Sequence, residues 1–383
     1  MIIGVLKETY PNEKRVAVVP TGIGALKKAG LEVQLESGAG AEAGFTDRMY
    51  EEAGAKVLSN RSEIFSNSDV ILQVKGVGSD KDSGSSDLGQ LKANQVIIGF
   101  FDPLADVERI KELASRNVCT LAMELVPRIS RAQTMDALSS QANISGYKAA
   151  IIAAEMLKKI FPMMMTAAGT MTPARVFVIG AGVAGLQAIA TCRRIGAIVS
   201  AYDIRPAVKE QVESLGAKFV ELELDTKEAE EEGGYAKTMD EDFYTRQREM
   251  MGNVVAESDV VITTAAVPGK KAPILVTSAM VDGMRPGSVI VDLASEQGGN
   301  CELTEAGKII ERGGVTITGP QNVPSSVPFH SSQMYSRNII NLLLLMVNEE
   351  KLDVNVDDEI IRDSMVTKDG QIVNKQVKEF FGL

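Results

Sequence analysis

The sequence predicts an α/β protein of two doubly wound domains joined by two long helices. Three observations carry this. A strand, a glycine-rich turn, a helix and a second strand follow one another over Arg175–Arg205. Strand and helix signals alternate over residues 1–125, the pattern of a parallel sheet covered by helices. Two long helical segments, Asp136–Phe161 and roughly Ser331–Val347, are spaced to carry the chain between sheets and back. The expected domains are therefore 1–137 with 328–383, and 138–327.

Within the Arg175–Arg205 unit, the apolar run Val176-Phe177-Val178-Ile179 leads into Gly180-Ala181-Gly182-Val183-Ala184-Gly185, and the second strand ends at Asp203. Each glycine has its own task. Gly180 allows the tight turn, Gly182 lets a pyrophosphate approach the backbone, and Gly185 lets helix and strand pack closely. The N–H groups and positive dipole end of the following helix suit phosphate. Asp203, 18 residues after Gly185, is placed to hydrogen-bond adenosine ribose hydroxyls and to repel a 2′-phosphate. NAD(H) is thus favoured over NADP(H), although Arg205 nearby argues slightly the other way.

Composition bounds the function. Of 383 residues, 45% are hydrophobic and 24% charged, as in ordinary globular proteins. A net charge of −11 argues against nucleic acid and against docking by a basic patch on acidic lipid. Cys119, Cys192 and Cys301 are far apart and lack metal-ligand spacing, so no metal site is expected, and a reducing compartment is. No signal peptide is expected, and the apolar runs fall short of the ~20 residues that cross a bilayer.

Strands are expected at the N-terminus (Ile2, Ile3, Val5, Leu6), Leu31–Leu35, Val70–Val74, Val96–Phe101 and Val118–Met123, with helices at Ile23–Ala29, Asp47–Ala53 and Val107–Ser115. Gly76–Gly89 reads as a solvated loop. The stretch ELVPRISRAQTMDALSS leaves a strand end and concentrates Arg128, Ser130, Arg131, Gln133, Thr134, Asp136 and Ser139. It is either a ligand loop or a plain loop with a helix cap and an Arg128–Asp136 ion pair. The helix after it would run for nearly 40 Å at about 1.5 Å per residue, with Tyr147 among its apolar positions. PMMMTAAGTMT (Pro162–Thr172) reads as an apolar hairpin whose sink is a dimer contact or the core. The acidic Glu223–Asp242 segment is either solvated or a lid with Tyr235 at its tip. Further strands follow at Val260–Thr264, Val289–Leu293 and Val315–Thr318, and the tail from Asp353 is short and mixed.

Over essentially its whole length the chain resembles the NAD(H)-binding domain I, the soluble alpha subunit, of proton-translocating NAD(P) transhydrogenase, with two Rossmann-like domains. The specific blocks are PRISRAQTMDALSSQANISGYKA, MTAAGTMTPARVFVIGAGVAGLQAIA, GGYAKTM, VPGKKAPILVT and VDLASEQGGNCELTE. The resemblance implies that Arg128, Ile129, Ser130, Asp136 and Ser139 hold the nicotinamide end, with Gln133 reaching toward the partner's dinucleotide. It assigns Gly180, Gly182, Val183, Ala184 and Gly185 to the pyrophosphate, and Asp203, Ile204 and Arg205 to the adenosine end. Gly234 and Tyr235 match the mobile loop, and Ala266 and Val267 lie beside the adenine. It implies a cleft between the domains, a homodimer through Pro162–Thr172, an NADP(H)-binding partner and a membrane-spanning subunit, with the chain on the cytoplasmic side of the inner membrane.

Alanine dehydrogenases are related. Arg15 and Lys75 match their carboxylate binders, but Phe100-Phe101-Asp102-Pro103 stands where they use a histidine, and Glu296 where they use an aspartate. The sole histidine is His330. Oxidising an amine moves a proton as well as a hydride and needs a base. Transfer between two nicotinamides needs only ring approach to roughly 3–3.5 Å, correct faces and exclusion of water. Three functions follow: a component presenting NADH for hydride transfer to NADP⁺ on a partner, a stand-alone amino-acid dehydrogenase, or a non-catalytic NAD-binding module.

Overall fold

The apolar alternation of the first 125 residues becomes β1 (Ile2–Val5), α1 (Pro20–Lys28), β2 (Glu32–Glu36), α2 (Asp47–Ala53), β3 (Lys56–Leu58), α3 (Arg61–Asn67), β4 (Val70–Lys75), α4 (Gly84–Leu88), β5 (Val96–Phe100), α5 (Val107–Ser115) and β6 (Cys119–Ala122). The computed structural model describes residues 1–79, 84–221, 241–266 and 270–383. Gly234, Tyr235, Val267 and nearly all of the expected lid lie outside the described residues. The chain divides into one unit of Met1–Gln141 with Pro324–Leu383, and another of Ala142–Val323.

In the first unit β1 to β6 pair parallel, and β1 lies between β4 and β2. Strand order therefore reverses between β1 and β4, a topological switch point. β4 is apolar on both faces because both are covered. Val70, Leu72 and Val74 join one core with Ile23 and Leu26, while Ile71 joins Leu6, Ile64 and Phe65 in the other. Pro20 opens α1, where a missing N–H costs nothing. Asn60 and Asp106 cap α3 and α5 with their side chains. The expected solvated loop before β5 instead buries Val77 and Leu88, and Asp87 there pairs with Arg61 at 2.6 Å.

The connector α6 (Ala137–Met156) stops five residues before the predicted end. It is about 30 Å long at 1.5 Å per residue. Past it, Lys159 Nζ binds Asp259 at 2.9 Å, and the Phe161 carbonyl accepts Ala174 N–H, so the backbone is redirected into the second unit. Contrary to the expected apolar spacing, Tyr147 is exposed, and Ala149, Ala150 and Ala153 are the buried positions. Small residues are required because Gly146 lies against the Ala184 backbone.

The second unit opens with an antiparallel ribbon, β7 (Met164–Thr166) and β8 (Gly169–Met171). Then come β9 (Arg175–Ile179), α7 (Val183–Arg194), β10 (Ile198–Tyr202), α8 (Lys209–Ser214), β11 (Lys218–Phe219), α9 (Glu241–Glu257), β12 (Val260–Thr263), α10 (Ser278–Asp282), β13 (Val289–Asp292), β14 (Ile309–Arg312) and β15 (Val315–Thr318). The order is β11-β10-β9-β12-β13-β15-β14, with only β14 antiparallel. Its switch point lies between β9 and β12. The ribbon is not core: Met164, Met165 and Met171 are 45, 75 and 43% exposed.

The return helix α11 (Pro328–Leu345) leads back into the first unit. A hairpin of β16 (Val347–Asn348) and β17 (Lys351–Leu352), then α12 (Glu359–Ser364), β18 (Met365–Lys368), β19 (Gln371–Ile372) and α13 (Lys375–Phe381) follow. The tail is thus no loose end. β18 pairs antiparallel with β6 and completes the sheet β19-β18-β6-β5-β4-β1-β2-β3, with the Thr120 and Thr367 hydroxyls 2.8 Å apart. Four-residue strands are too short for their periodicity to be read.

Candidate functional site

In the first unit, β6 runs out at Ala122 and the chain turns through Pro127 into a 3₁₀ helix, Ser130–Met135. Ala132 and Met135 are buried and anchor this loop, while Arg128, Ser130 and Gln133 are exposed on it. Asp136 caps α6, accepting Ser139 N–H at 2.8 Å and the Ser139 hydroxyl at 2.5 Å. The capping alternative is therefore what Asp136 does within the chain.

Distant residues hold the loop from behind. Arg131 makes a two-pronged contact with Asp358 at the start of α12, at 2.6 and 2.9 Å. Asn338 and Asn341 of α11 both donate to the Thr134 carbonyl, at 2.9 and 3.2 Å. The Asn338 oxygen in turn accepts from Ser140 at 2.7 Å. None of these holders is visible in the sequence, because the partners lie some two hundred residues away and no motif marks them.

In the second unit, Gly180 takes φ +96°, and a Cβ there would meet Thr264 Oγ1 at 2.6 Å. A Cβ on Gly185 would lie 1.8 Å from the Gly180 carbonyl oxygen, so only glycine fits where α7 crosses the turn. A Cβ on Gly182, by contrast, would meet nothing nearer than Arg205 Nη2 at 4.0 Å among the described residues. α7 begins at Val183 with no side-chain cap. Its first-turn N–H groups and dipole end thus face a backbone surface open to a ligand, the arrangement that receives a phosphate.

Asp203, at the end of β10, is 8% exposed. It accepts Ala181 N–H at 2.7 Å, which ties the acid to the turn. It also takes Arg205 in a two-pronged contact at 2.9 and 2.8 Å, so the arginine's charge is met within the chain. Ile204 packs on the core beside it. Across the switch point, the Thr264 hydroxyl donates to the Gly180 carbonyl at 3.1 Å, and Ala266 follows on the surface.

Two models of protein families cover this architecture. "Alanine dehydrogenase/PNT, N-terminal domain" matches residues 4–145, and "Alanine dehydrogenase/PNT, C-terminal domain" matches residues 149–375. The chain belongs to the alanine dehydrogenase/PNT family. Within that family it is 46% identical to an NAD(P) transhydrogenase alpha subunit of Rickettsia prowazekii, over 99% of this chain and 98% of the relative. The crystal structure of transhydrogenase from Sinorhizobium meliloti aligns with a TM-score of 0.87 at 44% identity, covering 97% of this chain and 100% of that one. An L-alanine dehydrogenase structure aligns at 0.82 with 25% identity, covering 100 and 99%.

Most of the positions that distinguish the two branches of the alanine dehydrogenase/PNT family gather at the strand ends of the first unit. Arg15 is 3% exposed and committed internally: Nε and Nη2 bind Glu13 at 2.7 and 2.6 Å, and Nη1 binds Gln141 at 2.9 Å. Lys75 Nζ lies 5.0 Å from the Tyr10 ring centroid. Phe101 is fully buried, and its N–H with that of Asp102 is taken by Glu124. Burial pushes the Glu124 carboxyl up to about 7. In the second unit, Glu296 is exposed and accepts Asn322 N–H at 3.4 Å. His330 is exposed and sits edge-on to Phe329, which stacks on Phe45. Among the described residues no cluster of acidic, histidine or cysteine side chains could hold a metal, and no helix is long and apolar enough to cross a membrane.

Asp203→Asn keeps the acceptor toward Ala181 but loses the charge. NADH affinity is expected to fall about tenfold, the worth of one charge-assisted hydrogen bond, and preference over NADPH to narrow. Titration of both nucleotides checks this.

Proposed function

We propose that this chain is the NAD(H)-binding component of a proton-translocating, Re/Si-specific NAD(P) transhydrogenase, presenting NADH to a partner subunit that holds NADP⁺. The observation that carries this is the glycine turn at the second switch point, tied to Asp203, in a chain that aligns end to end with transhydrogenase alpha subunits. The residues fit the group, since no described residue crowds Gly182 and no side chain caps α7.

When bound, NADH supplies the hydride. The chain's own work is to bind and orient. Gly180, Gly182, Val183, Ala184 and Gly185 receive the pyrophosphate, and Asp203 accepts from the ribose with Ile204 and Arg205 beside it. Gly234, Tyr235, Ala266 and Val267 complete the adenosine side and its cover. Arg128, Ile129, Ser130, Asp136 and Ser139 take the nicotinamide end, and Gln133 reaches toward the partner. The amino-acid dehydrogenase reading is disfavoured by the buried Phe101 and by an Arg15 already satisfied by Glu13 and Gln141.

A membrane-spanning subunit couples the redox step to proton movement, so the chain sits on the cytoplasmic face of the inner membrane through its partners. The exposed methionines of the β7–β8 ribbon are the contact of a homodimer. Mixed with its NADP(H)-binding partner and both nucleotides, the chain is expected to transfer hydride rapidly. Absence of transfer with a folded, nucleotide-loaded partner would sink the proposal and leave a binding module. Robust turnover of alanine with NAD⁺ and no partner would replace it with a dehydrogenase.

A further inference from the structure

β13 ends in Asp292, which is wholly buried and carries a carboxylate. Five donors surround it: Thr263 Oγ1 at 2.9 Å, Ala294 N at 3.0 Å, Asn300 N at 2.8 Å, Cys301 N at 2.9 Å and Thr304 Oγ1 at 2.7 Å. A charge removed from water needs such a shell, and the shell fixes whatever supplies it. What it fixes here is the turn Ser295–Asn300. Gly299 takes φ +82° in this turn, and a Cβ there would press on Asp292 Oδ2 at 2.9 Å.

Asn300 is the product of that arrangement. Its own N–H is held by Asp292, and its side chain, also wholly buried, grips a different strand end. Oδ1 accepts Ala265 N–H at 3.0 Å, while Nδ2 donates to the Ala265 carbonyl at 2.8 Å and to the Pro273 carbonyl at 2.9 Å. Its main-chain carbonyl accepts from Leu275 and Val276. One amide therefore clamps both polar groups of Ala265, immediately after the Thr264 whose hydroxyl touches the glycine turn.

We propose that Asn300, oriented by Asp292, is a positioning residue for dinucleotide binding. It sets the Thr264–Ala266 wall that faces the glycine turn across the β9–β12 switch point. The clamp touches only backbone, so it acts on the ligand through that wall. The inference rests on the reading of this unit as the NAD(H) site.

The test is Asn300→Ala in the full chain, titrated with NADH, with ADP as the adenosine-end probe and with reduced nicotinamide mononucleotide as the other. Loss of the clamp removes two ordinary hydrogen bonds from Ala265, so NADH and ADP affinities are expected to fall together by about tenfold. The mononucleotide affinity stays within twofold, and the Ala265 amide exchanges faster. A merely structural role would lower melting temperature without that split. A folded variant that binds NADH and ADP as the parent does overturns the proposal. Should Asn300→Ala fail to fold, Thr304→Val removes a single donor from Asp292 and is expected to show the same split at smaller size; equal affinities there overturn it too. If the unaltered chain fails to bind NADH, the functional reading falls instead.

Discussion

Gly185→Ala is expected to abolish NADH binding and to cost the second unit about 3 kcal/mol or more, the upper end of overpacking. The added methyl would lie 1.8 Å from the Gly180 carbonyl oxygen and 2.8 Å from its carbon. Both are backbone atoms at the end of β9, so no rotamer relieves the contact. Either α7 lifts off the sheet or the turn opens, and both spoil the N–H array that receives phosphate. Gly146→Ala attacks the same turn from the opposite side, since its Cβ would lie 2.0 Å from the Ala184 carbonyl oxygen. It is expected to behave alike although it lies outside the glycine motif. Gly252→Ala, in mid-α9 with nothing within 4 Å, is the control. It gains helix propensity of about 1 kcal/mol and leaves binding untouched. Thermal melts with NADH titrations check all three. A Gly185→Ala protein that binds within a few-fold of the parent would refute the packing argument.

That contrast marks where the sequence is readable. The glycine turn is legible because its cause is local: strand, glycines, helix and acid lie within 31 residues, each with a distinct backbone demand. Gly146 is not, because its reason is the Ala184 backbone, and a glycine in a helix announces no neighbour. The apolar runs of β12, β13 and β15 place those strands within a residue of the structure. β18 escapes because its pairing with β6 joins residues far apart in the chain.

The loop of Arg128–Ser139 divides in the same way. Its polar concentration and its position after a strand are visible in the sequence, and so is the possibility that Asp136 caps a helix. Its anchors are not. Arg131 stands in the sequence as one more cation, and only folding brings Asp358 to it. Asp292 likewise looks like the polar end of a strand. Its five donors come from β12, from the turn after β13 and from Thr304, an assembly that no spacing rule encodes.

Stability of the first unit is expected to fall as pH rises from about 5 to about 8, and Glu8→Gln to flatten that fall. Glu8 follows β1 at the switch point and accepts the Val74 and Lys75 N–H groups at 2.7 and 3.0 Å. Desolvation of its carboxyl, then the nearby Glu13, push it up to about 8 from an ordinary 4.5, against the pull of those N–H groups and of Arg15. The folded chain therefore keeps a proton that the unfolded chain releases above 4.5. Where the native state binds more protons, stability declines with pH. The contribution is full below the unfolded value, shrinks through the window and is gone once Glu8 ionises near 8. Glu124, raised to about 7 by burial, acts with the same sign over a narrower range. Together they amount to a few kcal/mol across the window, on the order expected from shifts of this size. Urea midpoints of parent and Glu8→Gln, measured at about pH 5.5 and about pH 8.5 to bracket the window, decide the matter. The parent should lose clearly more than the variant between the two. Parallel losses would mean that Glu8 is already ionised in the folded protein, with the two strand-end N–H groups and Arg15 outweighing burial.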